Sequence, residues 1–400
     1  MPESRLEVHI EALVDRALSL RREALDRESK ARIELFAKVS LRARAMQACR
    51  GGCVSLDHVH ESGLALRVVS PGRGRAGFAA ASGLSRETLR WALEVACSLE
   101  AHAPTSGPGP MDAIPSERWD LDPETDLPIE EALAGGLATH PEFEWVEAGT
   151  TLEVLIGADG WLAGRRRHRI WALEGGASPR LVAQRGFGGL NLLFDPERRK
   201  SPGNACRGSG DLGVLAMTPE AASSVVSALV DHFHGVGIDH SRESGPGWTV
   251  SDEPDRADAL SGGSFDDVGF PSTTRVLAEE GLWRGEIGGP GSLWRASFRQ
   301  PPMERTSNLV VPPGRTAEPP EGVAIARRCR VLRMSGEVWV LELDLENDQS
   351  SENPGRLWAR VRPQVLLDAC VSRLGGSVVT AAGPIVPGLL FDGLAAAARK

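Results

Sequence analysis

No stretch of the sequence reaches the roughly 18 consecutive apolar residues of a membrane-spanning helix, so no membrane span is expected. The most apolar tail, GGSVVTAAGPIVPGLLFDGLAAAARK, is interrupted by Pro384 and Pro387. An excess of basic residues is also missing. The formal net charge is -9, which argues against a general nucleic-acid binder, because neutralising phosphates needs a positive surface. Cysteine is sparse, with six residues dispersed along 400. Without an export signal this pattern points to reduced thiols in a cytoplasmic protein. The opening MPESRLEVHIEALVDRALSLRREALD lacks the apolar core and small-residue cleavage site of a signal peptide and reads as a charged amphipathic helix.

The remaining composition is that of a folded globular chain. Hydrophobic residues make up 41% and charged residues 25%, enough apolar material for a core. The length suggests two or three structural units. Residues 5–45 read as helix, with Leu6, Ile10, Leu13, Ala17 and Leu20 at helical spacing. CVSLDHVHESGLALRVV reads as two strands around a turn near Glu61-Ser62-Gly63. LSRETLRWALEVACSLEAH is a helix capped by Ser85. A Pro/Gly/Ser-rich stretch at 106–127 reads as a linker between an N-terminal unit, 1–105, and a β-rich middle region, 128–216. A β domain at 217–400 follows. The expected class is α+β, with an N-terminal α/β unit, a β-rich middle and a C-terminal antiparallel, barrel-like domain.

Several motifs have a functional and a structural reading. Gly72, Gly74 and Gly77 spell G-x-G-x-x-G, but a strand follows where a dinucleotide site needs a helix, so a hairpin turn is expected. Cys49, Cys53, His58 and His60 have zinc-like spacing. Strand parity points Cys53 away from the two histidines, which favours a hairpin with surface histidines. NACRG around Cys206 is similar to a cysteine-nucleophile sequence, and a glycine-rich loop is the alternative. The basic run Arg165 to Arg169, RRRHR, is expected on a solvated edge strand rather than in a nucleic-acid patch. MTPEAASSVVSALVDHFHGVGIDH reads as a helix with Thr218 as N-cap, Pro219 at the first position and a stripe of Ala222, Val225, Val226, Leu229, Val230 and Phe233. Its His232, His234 and His240 are weak candidate metal ligands, since the first two do not share a helix face.

The order of these segments resembles the TldD/PmbA (TldD/TldE) metalloprotease family. HESGLALRVVSPGRGRAGFAAASGLSRETLRWALEVA is similar to its N-terminal strands and helix. MTPEAASSVVSALV is similar to its Ser/Thr-Pro-Glu-Ala-Ala helix. VSDEPDRADALSGGSFDDVGFPSTTRVLAEEGLW and ERTSNLVVPPG are similar to its later motifs. Together these cover most of residues 15–315. The resemblance implies that a TldD-type chain carries His-Glu-x-x-x-His on the helix, two zinc ligands and a general base, with a distant cysteine ligand. In this sequence those positions hold Ser227, Ala228 and, last, His232. Cys329 and Cys370 are candidates for the distant cysteine, though neither has the family's sequence context.

The resemblance therefore implies the PmbA/TldE-type subunit, with no catalytic residue, no cofactor and no metal of its own. Zinc would sit in a TldD-like partner that cleaves small or unfolded peptides. The segments after Gly281 and Val323 are shorter than the family's. They keep open an alternative: a stand-alone homo-oligomeric binding or scaffold protein. A third reading is a metalloenzyme built on His232, His234 and His240.

Overall fold

The computed structural model describes residues 9–28, 31–47, 54–70, 75–99, 117–123, 129–175, 180–186, 214–236, 248–283, 287–289, 291–314, 319–320, 323–333, 338–345, 356–380 and 383–392. The chain is α+β, and its strands form two large sheets.

The first sheet is built from residues 32–185. Helix α1 (Ile10–Arg27) buries Ile10, Leu13, Ala17, Leu20 and Ala24, the stripe its spacing predicts. It ends where strand β1 (Arg32–Gln47) begins, so the expected helix over 5–45 is half strand. Arg, Ala, Leu and Glu are good helix formers, but from Ile33 to Ala45 every second residue is apolar and buried, with Phe36 the one buried apolar residue on the other face. Period two overrides intrinsic propensity once one face is covered. Strand β2 (Val54–Ser70) is continuous, and β3 (Arg75–Ser82) pairs with it. Gly63, expected in a turn, lies inside β2. A Cβ there would come within 2.3 Å of the Phe298 ring. The glycine serves close approach rather than chain reversal.

Helix α2 (Arg86–Ser98) is capped by Ser85, whose hydroxyl accepts from the Thr88 N–H at 3.0 Å. Strand β4 (Glu117–Leu121) falls inside the stretch read as a linker. Then come helix α3 (Ile129–Thr139) and strands β5 (Phe143–Ile156), β6 (Leu162–Glu174) and β7 (Arg180–Arg185). The strand order is β3-β2-β1-β5-β6-β4, with β7 also on β6. β1 pairs with β5 along most of its length. The N-terminal unit and the middle region thus share one sheet, across the position where a linker was expected.

This sheet has two unlike faces. One carries Ile33, Leu35, Leu64, Leu66, Leu152 and Val154 under α1 and α2, with α3 on a neighbouring cluster. The other carries Phe36, Ala65, Leu155 and Ala163 beside many charged residues. It meets Phe265 and Phe298 of the C-terminal unit.

The second sheet begins with β8 (Val214–Met217), followed by α4 (Pro219–Val236). Strands β9 (Val250–Asp252), β10 (Arg275–Glu279) and β11 (Leu282–Trp283) form one flank. The short ribbon β12 (Leu293–Trp294) and β13 (Met303–Glu304) stands apart, before β14 (Leu309–Val310). Strands β15 (Ala324–Arg333), β16 (Trp339–Leu345) and β17 (Arg356–Val361), helix α5 (Pro363–Ala369), and strands β18 (Cys370–Val379) and β19 (Ile385–Asp392) complete it. The path is β11-β10-β9-β14-β19-β8-β15-β16-β17, with β18 on β19. Most pairs are antiparallel; β14–β19 and β15–β8 are parallel. Among the described residues the sheet stays open rather than closing into a barrel. Helix α4 buries Ala221, Ala222, Val225, Val226, Leu229 and Val230 in the same core as strand residues Leu215, Leu341 and Leu389. No described helix is long and apolar enough to cross a membrane.

Candidate functional site

The basic run is not on a solvated edge. Arg165 and Arg167 are 4% and 3% exposed. β6 is covered on both sides: β5 runs along one edge, while β4 and then β7 share the other. Alternation sends Arg165, Arg167 and Arg169 to the face that meets the C-terminal unit, and His168 to the opposite face, where Nδ1 bonds the Thr150 hydroxyl at 3.0 Å. Buried charge persists only when paired and hydrogen-bonded. Arg165 donates to Asp267 at 2.8 Å, to Glu153 at 3.1 Å and to the Phe265 carbonyl at 2.6 Å. Its guanidinium lies over the Phe265 ring. Arg167 makes a two-point bond to Asp120. Arg185 donates to Asp122 at 2.7 and 2.9 Å. Apart from Glu153, 12 residues away on the adjacent strand, these acids lie 47 to 102 residues from the arginines they meet, Arg185–Asp122 being 63 apart.

The segments that carry the family resemblance organise the opposing wall. Asp252 Oδ1 accepts from the backbone N–H groups of Ser307 and Asn308 at 3.1 and 2.8 Å, and from the Ser307 hydroxyl. This ties the start of the VSDEPDRADALSGGSFDDVGF segment to the ERTSNLVVPPG segment. Asp266 is fully buried and accepts four backbone N–H groups, from Val268, Phe270, Gly291 and Leu293. Burial pushes its carboxyl up to about 6 in spite of those donors. Asp267 faces the other way. It takes Arg165 on one oxygen and the Arg295 N–H, at 2.6 Å, on the other.

Between the two walls lies a cavity of about 220 Å³. From the first sheet it is lined by Phe36, Lys38, Thr151, Glu153, Arg165, Arg167 and Arg169; from the C-terminal unit by Asp267, Trp294, Arg295, Phe298 and Arg305, among others. Six cations and two carboxylates border it. Burial alone would raise the Glu153 carboxyl, but Lys38, Arg165 and Arg169 hold it well below the usual carboxylate range. Burial lowers the affinity of Arg169 and Arg295 for their protons, an effect that Glu153 opposes at both and Asp267 at Arg295. The Nε atoms of Arg165, Arg169 and Arg295 are buried without a hydrogen-bond partner. The site is built to attract negative charge.

Apart from the basic run, the residues singled out from sequence lie elsewhere. Ser227, Ala228 and His232 are on α4 and do not line the cavity. Thr218 caps the helix weakly, its hydroxyl 3.5 Å from the Ala221 N–H, and donates to the Arg327 carbonyl. Ala228 is 7% exposed within the core. The His232 ring stands edge-on to Trp339 and Phe233, with centroids 5.4 and 5.3 Å away. A half-buried serine, an alanine and an imidazole packed against indole do not fit a zinc site. The side chain of His234, and His240, lie outside the described residues, as do Cys49, Cys53, Gly72, Gly74 and Cys206. Cys329 and Cys370 are buried, and burial pushes both thiols up to about 12, far from the thiolate form a metal takes. His58 and His60 are exposed on β2, His58 lying 3.5 Å from a Glu130 oxygen. Gly77 has a packing role: a Cβ there would fall 1.6 Å from the Ala96 carbonyl oxygen of α2. Among the described residues no group of three His, Cys, Asp or Glu is placed to hold a metal ion.

Sequence reasoning missed the cavity. The available signal was parity: in β1 the charges Glu34, Lys38, Arg42 and Arg44 all fall on the face opposite the apolar residues that pack under the helices, and in β6 Arg165, Arg167 and Arg169 share one face.

A two-sheet α+β chain with a charged seam defines the fold class. No family model matches the sequence, and no curated protein matches it. Solved structures do. TldE from Thermococcus kodakarensis superposes with a TM-score of 0.63 at 13% identity, over 93% of this chain and 98% of that one. A protein assigned the role of modulator of DNA gyrase, from Bacteroides thetaiotaomicron, gives 0.62 at 16% identity, over 94% and 98%. One from Thermotoga maritima assigned likewise gives 0.56 at 13%, over 94% and 98%. The chain has the fold of TldE, a subunit type of the family its segments resemble, along nearly the whole length of each chain.

Proposed function

We propose that the protein is the non-catalytic, TldE-type subunit of a peptidase assembly. A TldD-like partner would hold zinc and hydrolyse small or unfolded peptides, while this chain completes the substrate chamber. The carrying observation is a TldE fold whose helix α4 has Ser227 and Ala228 where the resemblance places a ligand and a base, with Ala228 in the core. Alanine can neither bind zinc nor accept a proton. Persistence of the fold without those groups supports binding or chamber-closing rather than bond cleavage.

The test is to purify the chain alone and together with a TldD-like protein, then measure zinc content and hydrolysis of an unstructured peptide. The expected result is no stoichiometric zinc and no hydrolysis by the chain alone, with activity in the mixture. Stoichiometric zinc together with activity in the chain alone overturns the proposal.

A further inference from the structure

We infer that the cavity between the first sheet and residues 261–307 is a carboxylate-binding subsite for a short peptide. The carboxylate would be the chain terminus or an acidic side chain. That the carboxylate belongs to a peptide rests on the function proposed above; that the cavity takes a carboxylate does not.

The charge balance of the lining is the first observation. Arg165 is occupied by Asp267 and Glu153, and Arg167 by Asp120 behind the wall. Lys38, Arg169, Arg295 and Arg305 remain on the border; Glu153 is shared by Lys38 and Arg169, and Arg295 feels Asp267 first and Glu153 more weakly. A low-dielectric pocket with surplus cations is favourable only when an anion enters it. The second observation is the pair of buried, unpartnered Nε atoms of Arg169 and Arg295, each in a side chain that lines the cavity. A buried donor without an acceptor is costly, and a carboxylate supplies acceptors suited to guanidinium. The third is size and wall chemistry. At about 220 Å³ the space is several times the roughly 30 Å³ share of one water. It exceeds a small inorganic ion and suits an amino-acid residue. Phe36, Trp294 and Phe298 give that residue apolar contact beside the cations.

The full-length chain, without any partner, is titrated calorimetrically with four probes: tri-alanine as the free acid, tri-alanine amide, N-acetyl-Ala-Glu-Ala amide, and acetate. The free acid, the Glu peptide or both should bind, with tri-alanine amide at least about tenfold weaker; which of the two acids binds identifies the source of the carboxylate. Arg169→Gln and Arg305→Gln should each weaken the preferred acid by about tenfold and leave the amide unchanged. Arg305 is exposed, so Arg305→Gln keeps the test valid if Arg169→Gln fails to fold. Equal binding of acid and amide, binding unaffected by the variants, or no binding of any probe overturns the inference. Arg169-dependent binding of acetate with no peptide binding upholds the carboxylate site and overturns its peptide ligand. Loss of partner-dependent hydrolysis in the experiment above, with carboxylate binding intact, tells against the subunit role alone.

Discussion

The Asp122 carboxylate accepts the backbone N–H of His168 at 2.7 Å, where the outer edge of β6 passes from β4 to β7. A strand that changes neighbours leaves an N–H without a ladder partner. Here the acid fills the gap, and its other oxygen holds Arg185. One side chain thus joins three strands.

Asp122→Ala should therefore be severe. It leaves a buried N–H without its acceptor and takes from the largely buried Arg185 guanidinium its nearest carboxylate, which costs about 3 kcal/mol. Asp122→Asn keeps an acceptor and should cost less. Urea unfolding of both variants against the parent measures the order.

The Arg165–Asp267 pair, 2.8 Å apart and buried on both sides, should be strongly coupled. Arg165→Met and Asp267→Asn should each destabilise by about 3 kcal/mol, since each takes from a buried charge its closest opposite charge. The double variant should lose clearly less than the sum. Additive losses in a double-mutant cycle would show that the ion pair does not bind the two units together.

Glu153 should set part of the acid limb of stability. Lys38, Arg165 and Arg169 outweigh burial, so its folded-state pKa is depressed to about 2 from the ordinary 4.5. A depressed carboxyl adds stability that is fully present above its unfolded pKa and disappears as pH falls through the folded value. The parent should exceed Glu153→Gln in stability at neutral pH, and the gap should close between about pH 4.5 and pH 2. Chemical denaturation at a series of pH values reads the gap; a constant difference down to pH 2 would refute the assignment.

Gly77→Ala should damage the N-terminal unit although the change is one methyl group. The new Cβ would fall 1.6 Å from a backbone oxygen of α2, so β3 and the helix must separate. A loss of about 3 kcal/mol in thermal or urea unfolding is expected for such overpacking. A neutral effect would return Gly77 to an ordinary turn role.

Short-range relations were legible before any coordinates. Ser85 caps α2 because its hydroxyl reaches an N–H three residues on. The α4 stripe buries as its spacing requires, and Ser227 and Ala228 stand where the ordered family-like segments place them. All of these depend on neighbours within a turn or two of chain, or on linear order.

Other features depended on residues far away in sequence. The alternation in β1 was present but hidden under good helix formers, and only pairing with β2 and β5 made the period decisive. Gly63 looked like a turn because the Phe298 ring that needs its missing side chain comes 235 residues later. The arginines of β6 looked solvated because isolated charge prefers water. Asp120 and Asp267, brought in from 47 and 102 residues away, supply the pairing that lets them be buried. The sequence determined helices α2 and α4 and which residues, Ser227 and Ala228, stand at the positions the family resemblance points to. Tertiary structure alone decided that the basic run would become the wall of an anion-attracting cavity, because burying a charge depends on partners that only the fold brings together.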